Sequence, residues 1–305
     1  MNIIIRTPSV FAALVLCAML SPIWLTAQDE GLLDLLPKEK QQKYPVTGAF
    51  KSSRVINNQS LEMIGKGVLD VRILHRFGLL KSGPSNFFGL DQANFRLGFD
   101  YGITDNFTMG IGRSSFQKEL DGLVKWRLVQ QSQGANSFPL SVIWVSGMTI
   151  NTTPVPPGFE MKNISDRSGY YHEIVIGRKF NDIFSLQLSP ILVHRNRVSS
   201  ISADDLNDVL ATGIGMRIRI TRRISFLLDY DYVIRGLDKT VYSNPLGIGI
   251  DIETGGHVFQ LHFSNSEGLN DNAFVTHTIR KWGKGEINFG FNLTRVFNTQ
   301  KGSNE

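Results

Sequence analysis

The chain has 305 residues, of which 19% are charged, against roughly a quarter in ordinary soluble domains. A formal net charge of +5, spread along the chain, excludes the concentrated basic surface of a nucleic-acid-binding protein. The single cysteine, Cys17, lies in the first apolar segment, so the rest of the chain has no thiol for a disulfide, for nucleophilic catalysis or for a metal.

The N-terminus has the layout of a secretory signal peptide. Arg6 is the only charged residue before Asp29, and an apolar stretch over 10–20 is followed by Leu25-Thr26-Ala27. We expect cleavage after Ala27, so residues 1–27 form the signal peptide; the alternative, a transmembrane helix, has too short an apolar core. Residues 28–65 are predicted to form a periplasmic N-terminal arm, with a short amphipathic helix or flexible segment over 28–46.

The next part of the chain predicts β-strands with one apolar and one polar face. The pattern is clearest over 286–297, where Ile287, Phe289, Phe291 and Leu293 alternate with polar residues and glycine. This segment is long enough to span a bilayer as a strand. We predict strands at 66–77, 93–103, 106–113, 118–129, 139–150, 170–180, 183–195, 210–220, 224–234, 246–253, 257–265 and 284–297.

The predicted connections alternate in length. Five of the six connections on one side are long, with 114–117 as the exception, and none on the other side is long. Outer-membrane barrels have short periplasmic turns and longer outside loops. We therefore predict an all-β, transmembrane, antiparallel up-and-down barrel of about 12 strands over 66–298, followed by a polar tail, 299–305. The alternative strand count is 14: residues 47–55 could be a further strand, and 274–279 could extend a neighbouring strand above the membrane. A soluble sandwich or barrel is the alternative class.

Several strings resemble a known family: KGVLDVRILHRFG (66–78), FFGLDQANFRLGFDYGITDNFTMGIGRSSFQKELDG (87–122), YYHEIVIGRKF (170–180), GGHVFQLHFSNS (255–266) and GFNLTRVF (290–297). They resemble an uncharacterised outer-membrane β-barrel family of Bacteroidota, over most of the chain after the signal peptide. The resemblance implies a fold and a location in the cell outer membrane. It implies no activity, so no catalytic residue is transferred.

The polar faces of the strands predict a charged lumen with nearly balanced signs. In one interpretation these residues line a path for a small solute; in the other they pair across strands and plug a narrow barrel. A wide, nonselective porin is disfavoured. The lumen-lining candidates are Asp70, Arg72, Arg76, Arg96, Asp100, Lys125, Arg127, Arg217, Arg219, Asp229, Asp231, Asp251 and Glu253.

Two histidines are weak candidates for chemistry. His172 and His194 fall on one predicted hairpin, both on the outward face near the loop end, within reach of each other across the strands. They could form half of a metal site or, with Ser168, a lipid-modifying site. They equally suit polar positions beside lipid headgroups. Because the sequence has no HxxxH-type zinc pattern and no GxSxG elbow, we predict no metal, no cofactor and no catalytic residue.

Three functions from different classes follow. The first is a channel or transport barrel that passes or binds a small solute. The second is a structural barrel whose loops, 78–92, 151–169 and 266–283, bind a periplasmic or surface protein. The third is an enzyme acting on outer-leaflet lipid, although an enzyme is the less favoured class. The expected partners are outer-membrane lipid and a small solute or protein, and no nucleic acid.

Overall fold

The structure is a computed structural model that describes residues 42–154, 163–198, 202 and 204–299. The predicted signal peptide, residues 28–41 of the predicted arm and residues 300–305 of the predicted tail lie outside the described residues. Within the described part, strands dominate. Their bounds are β1 Lys43–Pro45, β2 Val68–Leu79, β3 Ala93–Thr104, β4 Phe107–Ser114, β5 Glu119–Val129, β6 Ser132–Gly134, β7 Ser141–Asn151, β8 Ser168–Lys179, β9 Phe184–Arg195, β10 Asp208–Arg219, β11 Ile224–Arg235, β12 Leu246–Thr254, β13 His257–Ser264 and β14 Asn288–Asn298.

Twelve of these strands form one closed antiparallel barrel, which confirms the predicted fold class and strand count. Each strand pairs with its neighbours in sequence order from β2 to β14, with β1 and β6 left out. The barrel closes where β14 meets β2, from Asn298 opposite Val68 to Asn288 opposite Leu79. Closure leaves no sheet edge with unpaired backbone groups, which is what a strand-built protein needs inside lipid.

The last strand begins later than predicted, at Asn288 rather than at 284. Trp282–Lys284 forms a 3-10 turn, and Gly285 adopts a left-handed conformation with a φ of 66° that ends this turn. The other 3-10 segments also lie in connections: Leu80–Ser82, Pro84–Gly89, Phe116–Lys118 and Ser165–Arg167.

The connections at the two ends of the barrel differ in length, as predicted. One end, here called the turn side, carries 105–106, 130–140, 180–183, 220–223 and 255–256. The other end, the loop side, carries 80–92, 115–118, 152–167, 196–207, 236–245 and 265–287. On the turn side β6 pairs with β1, from Lys43 opposite Gly134 to Pro45 opposite Ser132, and so fixes the chain beside the barrel mouth.

Residues 274–279, which could have extended a strand, and 47–55, which could have been a further strand, do not add to the barrel. Residues 274–279 do not extend a strand: Asp271–Thr276 forms a helix, α1, whose six residues are all buried. Its first turn is fixed by Asn270, whose side chain accepts a hydrogen bond from the Ala273 N–H at 2.7 Å. Residues 47–55 form no barrel strand either, because this part of the chain enters the lumen.

Candidate functional site: a plugged lumen

The N-terminal segment fills the barrel. Residues 49–64, here called the plug, lie in the lumen as a hairpin in which Arg54 and Gln59 form a bridge. The Val55 N–H donates to the Asn58 carbonyl at 2.9 Å and closes the tip. Residues 49–64 of the predicted periplasmic arm therefore lie inside the barrel, where hydrogen bonds to the wall and apolar packing hold them, whereas 42–48 lie at the turn-side mouth.

The tip of the plug is held by two carboxyl groups of β11. The Asp229 Oδ2 accepts hydrogen bonds from the backbone N–H groups of Ile56, Asn57 and Asn58 at 3.1, 2.6 and 3.0 Å. The Asn58 side-chain amide donates to Asp229 Oδ1 and to Asp231 Oδ1, both at 2.7 Å. A single carboxyl group therefore satisfies three backbone donors that no secondary structure would otherwise pair.

The arms of the plug are held by two cations of the wall. The Lys125 Nζ donates to the carbonyl oxygens of Ser53, Ser60 and Glu62 at 3.0, 2.8 and 2.8 Å, which ties both arms of the hairpin together. The Arg217 Nη1 donates to the carbonyl oxygen of Ala49 at 3.2 Å near the turn-side mouth. These wall cations bond to peptide oxygens of the plug.

Strand β2, separated from β11 by three strands in the barrel order, forms a second polar contact with the plug. The Arg72 Nη2 donates to Ser53 Oγ at 2.7 Å and pairs with Asp70 at 3.0 Å and with Asp100. The Arg76 Nη2 donates to Asn57 Oδ1 at 2.8 Å. The plug thus contacts β2 at two levels, and each contact is a hydrogen bond between polar side chains.

The plug also binds α1, which enters from the loop side. Arg54 forms a two-bonded ion pair with Asp271, at 2.7 and 2.8 Å, and the Gln59 amide donates to the same carboxylate at 3.0 Å. Both partners are almost fully buried. The planar guanidinium of Arg54 and the carboxylate of Asp271 match in geometry, so this pair fixes the plug against α1 and the connection 265–287 on the loop side.

His277 is the residue that follows α1 in the loop-side connection 265–287. Its Nδ1 lies 2.8 Å from the Thr276 hydroxyl, and its ring makes an edge contact with Phe116 at 6.0 Å between centroids. Burial, with a smaller contribution from the charge of Arg195, lowers the pKa of His277 to about 4. The imidazole is therefore neutral at physiological pH.

An apolar cluster fills the lumen along β7 to β11. Inward side chains of β7 to β11 pack against Val55, Ile56 and Leu61 of the plug and against Phe274 of α1. The wall members of this cluster are Ile143, Val145, Tyr171, Val175, Ile191, Val193, Val209, Ala211, Leu227 and Val233. The lumen thus contains an apolar cluster along β7 to β11, which is interrupted by buried polar side chains such as Glu173 and Asp229, and a polar wall centred on β2.

Two cavities open onto the polar wall from opposite ends. The turn-side cavity, about 260 Å³, lies between the plug and the wall and reaches Asp70 and Thr294. The loop-side cavity, about 200 Å³, reaches Arg76 and Asn94. Both therefore border β2, and the plug contacts of Arg72 and Arg76 lie between them.

The structure places ten of the thirteen lumen candidates in the interior: Asp70, Arg72, Arg76, Arg96, Asp100, Lys125, Arg217, Asp229, Asp231 and Asp251. Arg96 pairs with Asp121 of a neighbouring part of the wall, with Nε at 2.9 Å from Oδ1, and Asp251 accepts a hydrogen bond from Gln260. Arg127, Arg219 and Glu253 lie at the turn-side rim and are only partly buried. At this rim Glu253 pairs with Lys51 of the plug.

The two candidate histidines lie on the outer surface. The His194 Nδ1 pairs with Asp208 Oδ1 at 2.7 Å, and its ring stacks on Tyr170, whereas His172 lies opposite Leu192. The Ser168 hydroxyl donates to the Ile164 carbonyl at 2.8 Å. Among the described residues, no group of three or more His, Cys, Asp or Glu side chains is arranged to hold a metal ion.

Sequence reasoning missed the plug and the apolar cluster of the lumen. The apolar residues of the plug do not recur with the spacing of a strand or a helix. Its partners, such as Asp229, lie far away in the sequence. The apolar cluster did leave a signal. Runs such as Ile191-Leu192-Val193 are apolar on both faces, a pattern that predicts burial on both sides of a strand.

Comparison with known proteins supports this architecture. A family model described as "Membrane bound beta barrel domain (DUF5777)" matches residues 50–297. The chain belongs to this family. It is therefore a membrane-bound β-barrel, and the match begins within the plug, so the plug is part of the family domain. The assignment to Bacteroidota stays a prediction. No curated protein matches the sequence significantly.

Solved porin structures show distant similarity. The NanC porin has a TM-score of 0.46 at 9% identity, with 76% of this chain and 100% of that chain covered. A variant of the Rhodopseudomonas blastica porin has a TM-score of 0.32 at 11% identity, with 67% of this chain but only 55% of that chain covered. No inference about function rests on these distant similarities. No helix among the described residues has the length and apolar character needed to cross a bilayer.

Proposed function

We propose that this protein is an outer-membrane barrel that passes a small polar solute and is closed at rest by its own plug. The observation behind this proposal is that two cavities, one from each mouth, border the same polar strand, β2. Hydrogen bonds between the plug and Arg72 and Arg76 of β2 separate the two cavities. Displacement of the plug tip from β2 would join them into one path.

The unequal connections support the orientation in this proposal. Barrels of outer membranes have short turns on the periplasmic side and longer loops outside. We therefore assign the turn side, where the N-terminal segment enters, to the periplasm, and the loop side to the exterior.

The chemistry of the contacts on β2 supports a movable tip. Arg72 and Arg76 bond to Ser53 and Asn57 of the plug through polar side chains, which water could bond in their place. Each such hydrogen bond contributes only about 1 kcal/mol net, because water replaces it. The apolar cluster, which includes Val55, Ile56 and Leu61 of the plug, would keep that side of the plug seated while the side that contacts β2 moves.

Single-channel recording in planar bilayers tests the proposal. The native barrel is expected to be silent or to open rarely. A variant in which residues 49–64 are replaced by a Gly-Ser segment of equal length should give steady conductance steps. Asp229→Ala, which frees the plug tip, should open intermittently, and Asp208→Ala, a strand aspartate on the outer surface, serves as the matched control. A correctly folded plug-replaced barrel without conductance would refute the proposal.

The continuous apolar cluster favours a second candidate, a permanently closed barrel with a structural or protein-binding role. The cluster runs from Phe50 near the turn side to Phe274 of α1, which suits a filled core. This candidate predicts that Asp229→Ala loses stability and stays silent in the same recordings. Pull-down with and without loop 152–167 would then test protein binding.

A further inference from the structure

An apolar groove lies on the outward surface near the loop side, away from the lumen. It has a volume of about 460 Å³ and crosses β3, β4, β5 and β7. Two cross-strand rows form it: Ile111, Gly122 and Met148 below, and Arg113, Leu120 and Ile150 above. Its size is within the range of small-ligand sites.

Gly122 creates the depth of this groove. Its position faces outward between Ile111 and Met148, and a Cβ built there would meet only the Gly110 carbonyl oxygen, at 3.7 Å. The position is thus open space where most lipid-facing positions carry a large side chain. A side chain at 122 would therefore begin in the groove without strain at its Cβ and would project into the space of the groove.

Arg113 lines the loop-side end of the groove, and Lys118 lies beside it in the chain fold, with its backbone carbonyl in contact with the Arg113 guanidinium. Arg113 is exposed, and its Nη1 donates to the Thr152 hydroxyl at 2.7 Å and to the Lys118 carbonyl. It forms no ion pair with any described residue. Lys118 is also exposed and lies in 115–118, the one short connection on the loop side, so this connection is too short to cover the rim.

We propose that this groove binds one acyl chain of a phosphorylated glycolipid of the outer leaflet, with the phosphate at Arg113 and Lys118. An apolar groove in the lipid-facing surface suits a hydrocarbon chain, and a guanidinium without an acidic partner suits a phosphate. The outer leaflet is assigned because the groove lies near the loop side, which the proposed function places on the exterior of the cell. The passage of a solute plays no part in this inference.

Native mass spectrometry of the detergent-solubilised full chain tests it. The probe is a bis-phosphorylated, hexa-acylated glucosamine disaccharide lipid, compared with its dephosphorylated form and with phosphatidylglycerol. One equivalent should bind to the native chain. Gly122→Leu should weaken binding of both glycolipid forms by about tenfold, whereas Arg113→Gln should weaken by about tenfold only the phosphorylated form.

Matched variants separate the groove from the general surface. Ser146→Leu adds an apolar side chain on the outward face outside the groove, and Arg295→Gln removes an outward arginine at the turn-side end of β14; neither should change binding. Heat-modifiable gel migration verifies that each variant is folded, and Lys118→Gln provides a second rim variant.

Unchanged binding in folded Gly122→Leu or Arg113→Gln overturns the proposal, as does phosphatidylglycerol binding as tightly as the glycolipid. The bilayer recordings use no added glycolipid. A silent channel with intact lipid binding would therefore contradict only the proposed function, and the reverse result only this site.

Discussion

At the scale of single residues, Asp229 shows how a buried carboxyl group organises a segment that has no secondary structure of its own. Its loss in Asp229→Ala leaves the N–H groups of Ile56, Asn57 and Asn58 without this acceptor in the interior. We expect a destabilisation of about 3 kcal/mol, because buried donors without partners are costly. Urea unfolding in lipid vesicles, followed by tryptophan fluorescence, measures it. Asp208→Ala should change the unfolding free energy little, and equal effects of both variants would contradict this role.

His277 predicts a pH dependence of the loop-side connection 265–287. Its pKa is about 4 in the folded state, below the ordinary value near 6.5, so folding favours the neutral form. The contribution of His277 to stability is therefore fully present above pH 6.5 and is lost as the pH falls toward 4. In the His277→Gln variant, the urea midpoint of unfolding should depend less on pH between pH 6.5 and pH 4. An equally steep pH profile in that variant would show that other groups dominate.

At the scale of elements, the plug and α1 depend on each other through Arg54 and Asp271. Asp271→Asn leaves a buried guanidinium without its charge partner and should destabilise by about 3 kcal/mol. In a double-mutant cycle with Arg54→Met and Asp271→Leu, the coupling energy should exceed about 1 kcal/mol. The exposed pair Lys81 and Glu286 is the control, with an expected coupling below about 1 kcal/mol. Similar coupling in the two cycles would contradict a plug fixed by α1.

The barrel elements could be predicted from the sequence, whereas the elements inside the barrel could not. The sequence of a strand such as β14 shows its environment directly. Lipid on one side and polar groups on the other require apolar and polar side chains to alternate every residue. Phe274 to Ile279 carries a similar alternation, yet the Asn270 cap and burial in the lumen give a helix there. The helix depends on contacts with Arg54 and Thr149, which lie far away in sequence.

The candidate site was predictable in composition but not in arrangement. Strand parity placed Arg72, Lys125 and Asp229 on the inner face, because a strand that faces lipid on one side turns its charges inward. Parity carries no information about partners. Lys125 binds three carbonyl oxygens of the plug, and peptide carbonyls are present at every residue, so the sequence marks none of them.

At the scale of the whole molecule, the barrel has a core with two different parts. The apolar cluster along β7 to β11 resembles the interior of an ordinary domain, and it packs against Val55, Ile56 and Leu61 of the plug. The polar wall satisfies buried charges through the plug and through cross-strand pairs such as Arg96 and Asp121. A barrel with this division can lose its polar contacts locally without losing its core, which is the physical basis for an opening along β2.

This division predicts where water-soluble reagents reach the lumen. With Cys17 replaced, single cysteines can be introduced at Asn94 in the loop-side cavity, at Thr294 in the turn-side cavity and at Asn292 between them. In the native barrel, a charged thiol reagent should label position 292 about a hundredfold more slowly than the other two, because labelling there must wait for local opening. In the plug-replaced barrel the three rates should converge. Rapid labelling at 292 in the native barrel would mean a path that is already open at rest, so that the plug closes nothing.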